Sequence, residues 1–180
     1  MGCPLQARFK DIEDRPRKIN AKTTFGTCIH DALEYYNNTG DYPGTVDRFQ
    51  KTWNDPILLN AVPDSWPKGM TFGSLKKKGE EVLESYHKKN VWDKRDIIAA
   101  EHKFCVPIGD HLLSGIVDLI EARPLGKSTE LTIVDYKTAG KKPVGDDLKL
   151  DIQFTVYWYA SLQPEFWMGY DGENGKYPGL

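Results

Sequence analysis

Apolar residues recur at helical spacing between Thr23 and Asn38, where Phe25, Cys28, Ile29, Ala32, Leu33 and Tyr36 form one stripe. Threonines are available as a cap and Gly40 as a stop, so the pattern predicts an amphipathic helix. A shorter helix is expected through TVDRFQKTW, in which Val46, Phe49 and Trp53 share a face. A Pro- and Trp-containing surface connection then spans 54–70. A third helix should run from about Ser74 to Lys89, with Leu75, Val82, Leu83 and Tyr86 inward and Lys or Glu outward. The period then changes. DIIAAEHKFCVPI and HLLSGIVDLIEA are β-rich runs separated by Gly-Asp, and ELTIVDYKT follows the turn RPLGKST, which together predict a three-strand antiparallel meander. DDLKLDIQFTVYWYASLQ mixes strand-favouring residues with helical length and reads as a buried helix stopped by Pro164. EFWMGY beyond it reads as a short final strand before DGENGKYPGL. Helices, then an antiparallel sheet, then a helix predict an α/β architecture with a central mixed β-sheet.

Composition changes this picture little. The 180 residues fit one domain, expected over 1–180, and 39 % hydrophobic with 28 % charged residues describe an ordinary soluble protein. The sequence holds no apolar run of membrane-spanning length and no apolar signal core at its start, so a cytoplasmic protein without membrane attachment is expected. Cys3, Cys28 and Cys105 lack the spacing of a disulfide scaffold or a self-contained zinc site. The net charge of −2 does not advertise a nucleic-acid binder. The lysines nevertheless cluster at 76–78, 88–89 and 141–142. Such runs are usually solvated faces, and the one at Lys141 is best placed to contact a ligand.

Candidate chemistry lies in polar residues with apolar surroundings: His30 in the first helix, Asp118 between Ile116, Val117, Leu119 and Ile120, and Asp135 with Lys137 at the end of the third strand. In a strand, Asp135 and Lys137 would share a face while Tyr136 points to the other. Carboxylates on neighbouring strands repel unless something positive holds them, which can be Lys137, a divalent metal, or both. Oxygen ligands favour Mg²⁺ or Mn²⁺, and an imidazole shifts the preference toward manganese. Two carboxylates, a metal and a lysine suit phosphodiester hydrolysis, in which the metal activates a water and the lysine orients it and stabilises the phosphoryl oxygens. Taken singly, an Asp-x-Lys pair is more often an exposed ion pair, and a lone helical histidine more often surface or hydrogen-bonded core.

At these residues the chain resembles the RecB-like branch of the PD-(D/E)XK nuclease superfamily, which includes phage and CRISPR-associated exonucleases. The resemblance rests on CPLQARFKDI from Cys3, on Gly26 and His30 in FGTCIHDALE, and on Gly115 and Asp118 in GIVDLI. It continues with Asp-Tyr-Lys-Thr at Asp135 to Thr138 and with Gln153 and Tyr157 in QFTVYWYA. It implies a restriction-endonuclease-like core in a single nuclease domain and a metal-dependent deoxyribonuclease, expected to be an exonuclease. His30, Asp118 and Asp135 would then be metal ligands, with Asp118, Asp135 and Lys137 catalytic. Gln153 and Tyr157, neighbours on one helix face, would support the lysine and touch the nucleic-acid backbone, with Thr138 and Lys141 as further contacts. Gly26 leaves an open patch one turn before His30, suited to close approach of substrate or a neighbouring strand. Glu101 is a further acid that could face the site, ranked below the others because a strand glutamate more often faces solvent.

The resemblance implies DNA as substrate and a helicase, recombination or CRISPR protein as partner, since the chain has no Walker A loop of its own. Several relatives bind a four-iron cluster through one early cysteine and three late ones. Cys3 matches the early position, but no cysteine follows Cys105, so an iron–sulfur cluster is not expected. In the family more sheet and helix usually follow the Gln-x-x-x-Tyr segment, so the chain would lack C-terminal elements. The alternatives are a catalytically inactive nucleic-acid-binding or scaffolding module of the same fold and a plain protein-interaction domain. The intact Asp-x-Lys argues against the inactive module.

Overall fold

The computed structural model describes residues 21–55, 66, 68–92, 95–138 and 152–168. Three helices come first: α1 (Ala21–Thr39), α2 (Tyr42–Trp53) and α3 (Phe72–Lys89). Each start has a local cause. The Asp41 side chain accepts the Gly44 N–H at 3.1 Å, with proline in the first turn of α2, and Thr71 and Ser74 form a reciprocal capping box at the start of α3. The stripe Phe25, Cys28, Ile29, Ala32, Leu33 and Tyr36 is buried as expected, and its first five members build the helical core with Phe49, Trp53, Leu75 and Leu83. Gly79 belongs to this packing, because a Cβ there would lie 2.1 Å from Phe49 Cζ. Val82, expected inward, instead lies at the rim and is exposed. The stretch expected as a surface connection contributes Trp66, which packs edge-on against Trp53 and Phe72.

The meander forms as expected from β1 (Asp96–Ile108), β2 (His111–Leu125) and β3 (Ser128–Val134), in the order β1-β2-β3. Both turns have glycine where φ is positive, Gly109 at 58° and Gly126 at 61°. Among the described residues the sheet is antiparallel throughout, so no parallel strand of the expected mixed sheet falls within them. The third strand ends sooner than its sequence suggests: its ladder stops where Val134 pairs with Leu119, and Asp135 to Thr138 run on beyond it.

The last two elements are α4 (Ile152–Ser161) and α5 (Pro164–Met168). EFWMGY was expected as a strand, but its described part is helical. Pro164 opens the turn, Glu165 lies in that first turn, and the Phe166 N–H bonds to the Gln163 carbonyl. α4 is not buried all round. Tyr157 and Ala160 face the sheet, where they join Phe104, Val106, Val117, Ile120 and Phe166 in a second core, whereas Trp158 and Leu162 are exposed. The described residues therefore form two cores, and the segment after β3 runs between them: Tyr136 packs on the helical core, while Tyr157 of α4 belongs to the sheet core. Among the described residues no helix is long and apolar enough to cross a membrane.

Candidate active site

The site forms where the centre of β2 and the end of β3 meet α1 on one side and α4 on the other. Asp118 is buried in the middle of β2. By register Glu101 of β1 stands opposite it, between the pairs Ala100–Leu119 and His102–Val117. Residues opposite one another on antiparallel strands project to the same face. Glu101 has a φ of 49°, the one positive value among described non-glycine residues. That conformation costs on the order of 1–3 kcal/mol and persists only where the surroundings enforce it. β1 also carries a register shift between Ile97 and Ala99, a few residues before Glu101.

His30, on α1, completes this group. Its Nδ1 lies 3.3 Å from Asp118 Oδ1 and 3.8 Å from Glu101 Oε1, and the ligand atoms of all three residues fall within 4.8 Å of one another. The opposite ring nitrogen, Nε2, lies 3.1 Å from the Tyr136 carbonyl oxygen. A carbonyl can only accept, so Nε2 carries the proton, and Nδ1 is the atom turned toward the carboxylates. Hydrogen bonds to Asp118 first and Glu101 second raise the imidazole pKa to about 10, against the opposing effect of burial. Without a cation, the charge of two carboxylates is thus offset by a proton on His30.

Asp135 and Lys137 form a second group. Lys137 Nζ is 2.6 Å from Asp135 Oδ2 and donates to Gln153 Oε1 at 2.6 Å, while Gln153 Nε2 is 2.8 Å from Asp135 Oδ1 and 2.7 Å from the Tyr157 hydroxyl. Tyr157 in turn donates to the Ile116 carbonyl at 2.9 Å, which ties α4 to β2. Burial raises the Tyr157 pKa, so its hydroxyl stays protonated and acts as a fixed strut. The Asp135 side chain is only 4 % exposed, and its buried Oδ2 has the lysine ion pair but no aligned hydrogen-bond donor.

The sequence-derived residues thus fall into two adjoining sets. His30 and Asp118 come together with Glu101, the acid ranked lowest from sequence, and Asp135 is joined to Lys137, Gln153 and Tyr157. Tyr136 links the sets: its carbonyl faces His30, and its N–H donates to Asp118 Oδ2 at 2.5 Å. Thr138 packs beside Gly26, where an added Cβ would lie 3.2 Å from the threonine Oγ1. The open patch before His30 is therefore filled by the chain that follows β3. Gly115 has a similar reason, since the Phe104 ring lies across it, 2.7 Å from where a Cβ would be. Lys141 and Cys3 lie outside the described residues, and Cys28 and Cys105 are buried.

The donor set fits a divalent cation: an imidazole nitrogen with its other nitrogen already hydrogen-bonded, and two carboxylates. A cavity of about 400 Å³ opens in front of His30 and Glu101 and is lined also by Gly26, Thr27, Asp31 and Glu34. Burial, then the charges of Glu101 and Asp31, raise the Glu34 pKa. A phosphodiester would be repelled from such an acidic mouth unless a cation met it. A larger cavity of about 590 Å³ lies around Arg95, Glu121 and Arg123. It is not the candidate site, because Glu121 there is engaged by both arginines.

The chain belongs to the PD-(D/E)XK nuclease superfamily, whose family model matches residues 1–176. The α/β fold, with its three-strand antiparallel sheet flanked by helices, agrees with the restriction-endonuclease-like core of that superfamily. No curated protein and no solved structure matches the chain. Membership implies a metal-dependent nuclease acting on nucleic acid.

Coordination at Nδ1 requires the proton on His30 to leave. Because the folded pKa of about 10 lies above the ordinary 6.5, the stability this proton contributes to the metal-free protein is fully present below pH 6.5. It is lost as pH rises through 10. Mn²⁺ binding should accordingly release about one proton at pH 7, and apparent affinity should rise by up to about tenfold per pH unit between pH 6.5 and 8.5. Titration calorimetry in buffers of different ionisation enthalpy reads the proton count directly, and a pH-independent affinity would contradict this arrangement.

Proposed function

We propose that the chain is a RecB-like, divalent-metal-dependent deoxyribonuclease that trims DNA from an end. The observation that carries this reading is the Asp135–Lys137–Gln153 cluster standing one residue away, through Tyr136, from the His30–Glu101–Asp118 group. In this reading Lys137, Gln153 and Asp135 would act on a phosphate, whereas His30, Glu101 and Asp118, together with Asp135, would hold Mg²⁺ or Mn²⁺. When bound, that cation would polarise a water and screen the charge growing on the phosphoryl oxygens.

The protein's own groups supply the rest. The Lys137 ammonium, held between Asp135 and Gln153, can donate to a non-bridging phosphate oxygen or steer the attacking water, and Asp135 fixes its position. Gln153 is itself held by the Tyr157 hydroxyl, so the lysine is anchored on both sides before substrate arrives. In this reading Thr138 and Lys141, which follow in the sequence, would meet the nucleic-acid backbone, and a helicase or recombination partner would deliver the strand.

The test is cleavage of DNA labelled at its 5′ or 3′ end, beside a closed circle and an RNA of the same sequence, with Mg²⁺, Mn²⁺ or EDTA. Release of labelled mono- or short oligonucleotides from linear DNA, abolished by EDTA and not seen with the circle, is expected. Cutting of the circle would convert the reading to an endonuclease. A folded protein that binds DNA and neither cuts it nor binds Mn²⁺ would be an inactive member of the fold.

A further inference from the structure

Tyr136 lies between the acid and the lysine of the Asp-x-Lys element, and its side chain carries its hydroxyl into a buried polar cluster. Its hydroxyl is 2.6 Å from the Tyr86 hydroxyl and accepts a hydrogen bond from Asn37 Nδ2 at 3.0 Å. Asn37 is 1 % exposed, and both polar atoms of its side chain bond within this cluster. Its Oδ1 accepts from the Tyr86 hydroxyl at 3.1 Å and from Arg95 Nη1 at 3.0 Å, and its carbonyl accepts from Trp92 Nε1 at 2.8 Å. Arg95 is fixed in turn by Glu121, buried on β2, to which its Nε donates at 2.5 Å. The cluster therefore ties α1, α3 and β2 to one side chain.

The peptide groups of that residue touch the candidate metal ligands. The Tyr136 carbonyl bonds His30 Nε2 and so turns Nδ1 toward Glu101 and Asp118. The Tyr136 N–H bonds Asp118 Oδ2, which leaves Oδ1 facing His30. Among the described residues no ladder hydrogen bond fixes this backbone, because the strand pairing ends at Val134. Beyond the bonds this backbone makes to His30 and Asp118, the side chain ties it to the helices, through Asn37 and Tyr86. Its ring also lies edge-on to both His30 and Tyr86, at 5.9 and 5.6 Å between centroids.

We infer that Tyr136, anchored by Asn37 and Tyr86, is the positioning residue of the metal centre: the buried hydroxyl cluster sets the orientation of the peptide that aims His30 and Asp118 at the cation. The inference rests on the nuclease reading for the cation itself but not for the orientation of His30. Groups that orient metal ligands typically govern affinity by 10–100-fold, so a remote hydroxyl should be visible in a binding constant.

The experiment compares wild type, Tyr136→Phe and Tyr86→Phe with Trp53→Phe. Trp53 is buried in the same helical core but makes no hydrogen bond to the cluster, so its replacement reports on stability alone. Mn²⁺ affinity is measured by calorimetry, and the His30 ring nitrogens are followed by NMR in metal-free protein. Expected are a 10–100-fold loss of Mn²⁺ affinity and shifted His30 resonances in Tyr136→Phe, and a smaller loss in Tyr86→Phe. Trp53→Phe should melt earlier with both properties unchanged. Wild-type affinity in Tyr136→Phe, or an equal loss in Trp53→Phe, would overturn the inference while leaving the nuclease reading intact. Absence of Mn²⁺ binding by wild type would overturn the metal reading. The His30 resonances then decide the positioning role alone, and identical spectra for wild type and Tyr136→Phe would reject it.

Discussion

Lys137→Ala should lower the single-turnover rate of phosphodiester cleavage by about a thousandfold while changing DNA affinity by less than about tenfold. The ammonium it removes pairs with the buried Asp135 carboxylate, and it is held there by Gln153. An interaction made mainly with developing charge affects the rate far more than the ground-state complex. Lys137→Arg should restore little. A guanidinium is larger and planar, so it cannot occupy the space between Asp135 Oδ2 and Gln153 Oε1 in the same way. Rates from rapid quench, set beside binding by fluorescence anisotropy, separate the two effects. A variant that cuts within tenfold of wild type would remove Lys137 from the chemistry. The stability cost is bounded by the change at Asp135, which would keep its hydrogen bond from Gln153 but lose its ion pair, on the order of 1–3 kcal/mol.

Much of the scaffold of this site was legible in the residues, and the reasons are local. The stripe on α1 places His30 beside the core because apolar spacing fixes which face is buried, and the two short turns with glycine fix the meander that carries Asp118. Three features were not legible. Glu101 joins His30 and Asp118 through a positive φ in a strand, a conformation for which a glutamate carries no sequence signal. The grouping of Asp135 with Gln153, separate from the His30 group, depends on how α4 lies against β2, which is set by the Tyr157–Ile116 hydrogen bond and by packing on Phe104. EFWM became helix because an initial proline and an acidic first turn outweighed the strand preference of its aromatic residues, and Phe166 could bury itself against His102 and Phe104 in that form. In each case the deciding contact joins residues far apart in sequence. Periodicity reports which face is buried, not what it meets.

Asp118→Asn should leave the fold nearly intact and weaken Mn²⁺ binding by about a hundredfold or more, with cleavage lost in proportion. The substitution is close to isosteric. The amide oxygen can still accept the Tyr136 N–H that Asp118 Oδ2 accepts, so the segment after β3 stays in place. What disappears is the charged acceptor 3.3 Å from His30 Nδ1, whose hydrogen bond is the largest contribution holding that imidazole near a pKa of about 10. With only Glu101 remaining, the folded pKa of His30 should drop toward the ordinary 6.5, and the stabilising proton of the metal-free protein should be lost at lower pH than in wild type. The variant thus has two independent signatures. Mn²⁺ at concentrations above its weakened dissociation constant should recover part of the cleavage, because His30 and Glu101 are still present. The thermal stability of the metal-free variant should fall off at lower pH than that of wild type. Full cleavage at wild-type Mn²⁺ concentrations would exclude Asp118 as a ligand. A pH profile of stability unchanged from wild type would show that the proton on His30 is held by Glu101 instead, and would make Glu101 the carboxylate that a cation has to satisfy first.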